Sequence, residues 1–263
     1  MIKMRTIVDV HTHVNLFPYN KDREEVIKRA VEAGIKMICV GIDAETSKSA
    51  VVLAEKYPKD IWATVGCHPH CAGEKGKFNT EIFRKLAEHP KVVAMGECGF
   101  DYFRNLSGKK DQENVFAEQI KLAGELKKPL MIHCRPSKGA DDAYEDALNL
   151  ISNFEFPSPK ISHFYAGSLA MAKKLLNQGF YFTFGGVITF SRSYNEIIKF
   201  LPIENIMLET DAPYVAPEPY RGKRNEPVYI VEVLKKMAEI KNLEYDKILE
   251  ITTQNAERIF NIK

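Results

Sequence analysis

Short apolar runs alternate along the chain with longer stretches in which apolar residues recur every three or four positions. The short runs predict strands over Thr6–Val10, Met37–Gly41, Ile61–Gly66, Val92–Gly96, Leu130–His133, Lys160–His163, Tyr181–Phe184 and Ile206–Glu209. The periodic stretches between them predict amphipathic helices over Arg23–Ala33, Glu45–Lys56, Glu81–Glu88, Gln112–Lys127, Asp141–Ser152 and Leu169–Asn177. Tyr229–Ile240 and Tyr245–Ile259 read as two closing helices. Alternation of this kind argues for parallel strands covered by helices, and eight strands suit a closed barrel better than an open sheet.

Length agrees: 263 residues match a single (β/α)8 barrel, typically about 250 residues. Length alone also allows two domains, but no Pro/Gly/Ser linker, internal repeat or low-complexity segment divides the chain, so one domain is expected over 1–263. A hydrophobic fraction of 45% is ordinary for a globular protein with a full core. No run of about 18 apolar residues suggests a membrane span. Met1–Arg5 lead straight into the first strand without room for a secretory signal, so a cytoplasmic protein is expected. The 37 basic and 35 acidic residues nearly cancel, which is no electrostatic footprint of a nucleic-acid binder but leaves room for a local basic rim. The five cysteines form no Cys-x-x-Cys pair. Cys98 and Cys134 each follow an inward candidate and should point outward, as buried, reduced packing residues.

The placement of polar residues adds chemistry to this picture. His11 and His13 end the first strand, on the same side, because side chains alternate with a period of two. An isolated His-x-His is a weak signal. Here, however, Cys67-His68-Pro69-His70 ends the third strand, Glu97 the fourth, His133 the fifth and His163 the sixth, while Asp211 follows the eighth. In a barrel those ends open on one face, where such folds carry their active sites. Of the seven histidines only His89, at a helix end before Pro90, reads as a surface residue.

His11, His13, Glu97, His133, His163 and Asp211 offer more ligands than one zinc ion needs, because a catalytic zinc takes about three. They suit two divalent ions: His11, His13 and Asp211 on one, His133 and His163 on the other, with Glu97 between. Such a pair activates water for hydrolysis, and Asp211 at the edge is the expected proton acceptor. For each ligand the alternative is a buried, hydrogen-bonded residue. The donor set tolerates Zn²⁺, Mn²⁺, Mg²⁺, Fe²⁺ or Ni²⁺.

Several stretches together resemble the TatD family of metal-dependent deoxyribonucleases. They are Asp9-Val10-His11-Thr12-His13, Gly66-Cys67-His68-Pro69-His70, Gly96-Glu97-Cys98-Gly99-Phe100-Asp101-Tyr102, Ile132-His133-Cys134-Arg135, Leu208-Glu209-Thr210-Asp211-Ala212-Pro213-Tyr214 and Arg221-Gly222-Lys223-Arg224-Asn225-Glu226-Pro227. The matches keep the family's order over nearly the whole chain. The resemblance implies a TIM-like barrel of the amidohydrolase-like hydrolases, a two-metal site and hydrolysis of DNA phosphodiesters. Glu97, as the bridge, and Asp211, as the proton acceptor, are the catalytic candidates reached above from the residues themselves. The family's ligands fall on the six residues already reached, and its third-strand histidine falls on His68, implying a catalytic, phosphate-facing residue that need not bind metal. The chain departs from the family at Ser162-His163-Phe164-Tyr165-Ala166-Gly167, where His-Cys-Phe-Ser-Gly is commoner, and at Pro136-Ser137-Lys138-Gly139. Both departures keep the ligand and alter its neighbours.

DNA, single-stranded or at strand ends, is the expected substrate. The alternatives are an amidohydrolase or a small-molecule phosphodiesterase using the same binuclear site, or a metal-holding scaffold without turnover. Many two-metal amidohydrolases bridge their ions with a carboxylated lysine on strand four, whereas this strand offers Glu97 and no lysine. Arg135, two residues beyond His133, either grips a phosphate or forms a salt bridge in the mouth. Arg221, Lys223 and Arg224 form a basic loop that either meets backbone phosphates or is simply solvated. Tyr102, Phe103, Phe164, Tyr165 and Tyr214 either stack an unpaired base or pack beneath the loops.

Overall fold

The computed structural model describes residues 6–73 and 78–262; Met1–Arg5, on which the expectation about a signal rests, lie outside them. Each predicted apolar run forms a strand: β1 Ile7–Thr12, β2 Ile35–Val40, β3 Ile61–Val65, β4 Val92–Asp101, β5 Leu130–Arg135, β6 Lys160–His163, β7 Phe180–Phe184 and β8 Ile206–Leu208. They pair in parallel, in chain order. The ring closes beyond the end of β8, where Asp211 N–H donates to His11 O at 2.9 Å and His13 N–H to Ala212 O at 2.7 Å. Across the same seam the Asp9 carboxylate accepts from Thr210 N–H at 2.9 Å and Thr210 Oγ1 at 2.5 Å.

Helices α1 Arg23–Glu32, α2 Ala44–Lys56, α3 Thr80–Ala87, α4 Lys109–Glu125, α5 Asp142–Ser152 and α6 Leu169–Asn177 follow β1 to β6 in turn. The helix α7, Asn195–Phe200, was not foreseen: six residues are too few to display a helical period. α8 Ile230–Lys241 and α9 Tyr245–Phe260 close the chain as expected. Among the described residues no helix is long and apolar enough to cross a membrane.

Outward strand residues such as Ile35, Met37, Cys39, Cys98 and Cys134 join the layer beneath the helices. Inward residues Val8, Val10, Ile38, Trp62, Ala94, Met131, Ile161 and Met207 fill the barrel with Ile259 and Phe260 of α9. Thr253 of α9 donates to Thr6 O at 3.0 Å, so that helix stoppers the end where the strands begin.

Two bulges aim the polar residues. On β1, Asp9 pairs with Met37 and Thr12 with Cys39, three residues against two. The extra residue places both Val10 and His11 inward; an unbroken strand with Val10 inside would have turned His11 out. On β4, Met95 pairs with Leu130 and Cys98 with Ile132, so Gly96 and Glu97 share the inner side. Gly96 has a φ of +134°, and a Cβ there would lie 2.3 Å from Met131 O, so no other residue fits. The bulge also explains why β4 runs on to Asp101, five residues past the predicted end: the strand resumes its pairing with β5 beyond it.

Candidate metal centre

Strand ends deliver the site. His11 and His13 come from β1, Glu97 from β4, His133 from β5 and His163 from β6, while His68 and Asp211 follow β3 and β8. Glu97 is the hub, and only 3% of it is exposed. Its Oε2 lies 3.4 Å from His11 Nε2 and 3.6 Å from His13 Nε2. Its Oε1 lies 2.7 Å from His133 Nδ1 and 3.4 Å from both His163 Nε2 and His68 Nε2. Asp211 Oδ1 completes the first side, 3.4 Å from His13 Nε2 and 3.7 Å from His11 Nε2. One carboxylate thus faces two sets of imidazoles. The groupings close enough to hold a cation are His11, His13 and Asp211; His11, Glu97 and His163; and His68, Glu97 and His133.

The packing fits divalent cations. His11 Nε2 and His13 Nε2 face each other at 3.1 Å, and the His11 and His163 rings stack with centroids 3.6 Å apart. His11 Nδ1 is buried with no hydrogen-bond partner. Convergent imidazole nitrogens with carboxylates between them are the donor chemistry of zinc and its neighbours.

Outer partners decide which nitrogen is free. His13 Nδ1–H donates to Val40 O at 3.1 Å, and His163 Nδ1–H to Glu209 Oε2 at 3.0 Å. Thr183 Oγ1 holds that same Glu209 oxygen at 2.6 Å. His133 Nε2–H donates to Asp101 Oδ2 at 3.3 Å. In each case the opposite nitrogen faces Glu97. His68 is reversed: the His70 backbone N–H donates to its Nδ1 at 3.1 Å, leaving the proton on Nε2. His68 therefore presents a hydrogen-bond donor to the site rather than a lone pair, despite its proximity to Glu97.

Charge follows the same division. Burial alone would raise the Glu97 carboxyl, but the imidazoles of His68, His163 and His11 hold it well below the usual range. Burial pushes His68 down to about 4, so its ring is neutral. Burial also disfavours charge on His163, yet Glu209 and Glu97 push it up to about 10, so a cation binding at Nε2 must displace a proton.

These groups floor a cavity of about 490 Å³ whose walls include His70, Arg104, Arg135, Phe164, Tyr194 and Tyr214. Arg135 lines this cavity, its guanidinium 4.3 Å above the Phe103 ring. The arginines of the basic loop are engaged by the protein itself. Arg224 donates to Asp22 Oδ1 at 2.8 Å and Oδ2 at 2.6 Å and lies 4.4 Å over the Tyr19 ring, so it braces the loop after β8 against the start of α1. Arg221 donates to Ala216 O at 2.8 Å and stacks on Phe190, and neither arginine lines the cavity. The aromatics divide: Tyr165 is buried and Tyr102 donates to Asp146, while Phe164 and Tyr214 line the cavity. His89 pairs with Glu55 at the surface, and burial raises the Cys98 and Cys134 thiols, making them poor nucleophiles.

Comparisons with known proteins identify the family. A family model described as TatD related DNase matches residues 8–261. The chain belongs to the TatD family. It is 37% identical to the uncharacterized metal-dependent hydrolase YabD of Bacillus subtilis, over 97% of this chain and 99% of that protein. It is 33% identical to the 3'-5' ssDNA/RNA exonuclease TatD of Salmonella typhimurium, over 97% and 98% of the two chains. The TatD homolog YJJV from Escherichia coli superposes with a TM-score of 0.85 at 28% identity, covering 99% of this chain and 100% of that one. The protein is a metal-dependent hydrolase on the eight-stranded barrel of the TatD family.

Sequence reasoning assigned no role to Asp101, Glu209, His70, Arg104 or Tyr194. Asp101 Oδ2 takes His70 Nε2–H at 2.7 Å as well as His133, tying two strand ends together. A signal was present for Glu209 and Asp101, both acidic residues within apolar strand-like motifs, where burial demands a partner.

Proposed function

We propose that the protein is a nuclease that hydrolyses phosphodiester bonds in single-stranded DNA from strand ends, using two divalent ions that share Glu97. The division of Glu97 between His11 and His13 on one oxygen and His133 and His163 on the other carries this reading. His11, His13 and Asp211 would hold one ion, His133 and His163 the other. Bound there, the ions polarise phosphoryl oxygens and lower the pKa of water.

The chain's own groups supply the rest. Asp211, beside His13, accepts the proton of the attacking water. His68 Nε2–H, on the other oxygen of Glu97, donates a hydrogen bond to the phosphate. Water oxygen bonds to phosphorus, the bond to the leaving oxygen breaks, and that oxygen takes a proton from solvent. Asp211 and His68 stand on opposite sides of Glu97, which suits in-line displacement. The site lies at the floor of a walled cavity, which a strand end enters more readily than a base-paired duplex. The 3'-5' ssDNA/RNA exonuclease activity named for the Salmonella relative supports a single-stranded substrate and makes 3' ends, and RNA beside DNA, the first arms of a test.

End-labelled single-stranded DNA, RNA and duplex DNA, incubated with protein reloaded with Mg²⁺, Mn²⁺ or Zn²⁺, test the reading. Stepwise shortening of single strands that stops with chelator is expected. Cleavage of a cyclic amide with no nucleic acid cut under any metal overturns it.

A further inference from the structure

Guanidinium groups in this protein are mostly engaged by the protein itself. Arg23, Arg29, Arg84, Arg221, Arg224 and Arg258 all donate to carbonyls or carboxylates. Arg104, Arg135 and Arg192 have no such partner among the described residues, and of these Arg104 and Arg135 stand at the cavity. They reach the mouth from neighbouring strand ends, Arg135 at the end of β5 and Arg104 just past β4. Phe103, next to Arg104 in the chain and 56% exposed, lies under the Arg135 guanidinium. Water could solvate two free cations equally well at an open surface, but these two sit beside a cavity whose floor carries carboxylates and, by the reading above, metal ions.

We propose that Arg104, Arg135 and Phe103 form a second nucleotide subsite at the cavity entrance, binding the phosphate and base next to the scissile bond. The inference rests on the nuclease reading and extends it to the substrate's length. A planar guanidinium suits a phosphate oxygen pair, and an exposed ring beside it accepts any base face. The arrangement grips backbone and base without reading sequence, so it favours length over base identity.

The metal-loaded protein is compared on a thymidine dinucleotide carrying one internucleotide phosphate and a trinucleotide carrying two. In the wild type kcat/KM rises about tenfold or more with the added phosphate, the worth of a hydrogen-bonded charge pair. In the Arg104→Ala, Arg135→Ala double variant that rise shrinks to within about twofold, and log kcat/KM for the trinucleotide falls less steeply with log salt, by about 0.7 per arginine removed. Arg104→Lys, Arg135→Lys keeps the salt dependence and recovers part of the rise, which a purely structural role does not produce. An undiminished rise in the alanine variant, or none in the wild type, overturns the subsite and leaves the nuclease reading standing. If neither oligonucleotide is cut, both fall together.

Discussion

At one end of the barrel Ile38, Trp62, Met131, Ile161 and Met207 meet Ile259 and Phe260 of α9. At the other end, a few residues along the same strands, His11, Glu97, His133 and His163 crowd within hydrogen-bonding distance. Both ends are buried, but they are stabilised differently. The apolar end needs only volume and surface removed from water, so its residues are interchangeable within limits of size. The polar end needs a partner for every buried atom, because an unpaired buried charge is strongly destabilising. Asp101, Glu209 and the Val40 carbonyl partner His133, His163 and His13 and fix which ring nitrogen faces inward, and Thr183 holds Glu209 in turn. His11 Nδ1 alone among these ring nitrogens is left without a partner. An apolar stopper, held by packing, thus lies beneath a site held by specific hydrogen bonds.

Changing one residue at each end should separate chemistry from stability. Glu97→Gln keeps the shape but removes the shared charge; turnover should fall by at least about a thousandfold, in the range found for losing a key electrostatic group, with metal content by mass spectrometry falling alongside. Retained turnover with a full metal complement would end the shared-ion reading. Phe260→Ala, in the stopper, should lower unfolding free energy by about 3–5 kcal/mol in urea, with kcat of the remaining folded protein close to wild type. A larger effect on kcat than on stability would show that the two ends are not independent.

The outer partners give a smaller, sharper test. Asp101→Asn should weaken metal binding by about ten- to a hundredfold, read by competition with a chelator, because it loosens both His133 and His70. The smallest effect is expected at Arg224, outside both ends. Its guanidinium holds the Asp22 carboxyl below the ordinary carboxylate range. A depressed carboxyl pKa stabilises the fold above about pH 4 and loses that contribution as pH falls through the folded value. The pair is partly exposed, so Arg224→Ala should cost under about 1 kcal/mol near neutral pH. Urea melts should show the gap to wild type closing in acid; a gap that persists there would assign the effect to the lost stacking on Tyr19 instead.

Much of this was legible from residue order, for identifiable reasons. Strand and helix periods, and polar residues recurring where apolar runs end, are local patterns, so the barrel and its open face could be inferred from them. The short helix α7 lacked the length to show a period. Arg224 read equally as a phosphate contact or a solvated charge, because a basic loop looks the same whether it faces a ligand, water or a carboxylate from another element, and Asp22 lies 202 positions away. His70 and Asp101 stood in plain view without a role, since nothing local says that they meet.

By itself the sequence determined the order of strands and helices, and the residue types that gather where the strands end. Tertiary structure decided the rest. The bulge on β1 that turns His11 inward, the one on β4 that aims Glu97, and the partners that settle the protons of His13, His133 and His163 all depend on other strands or the segments that follow them. Periodicity follows from covalent geometry within one segment, whereas register and hydrogen-bond partnership exist only between segments brought together by folding.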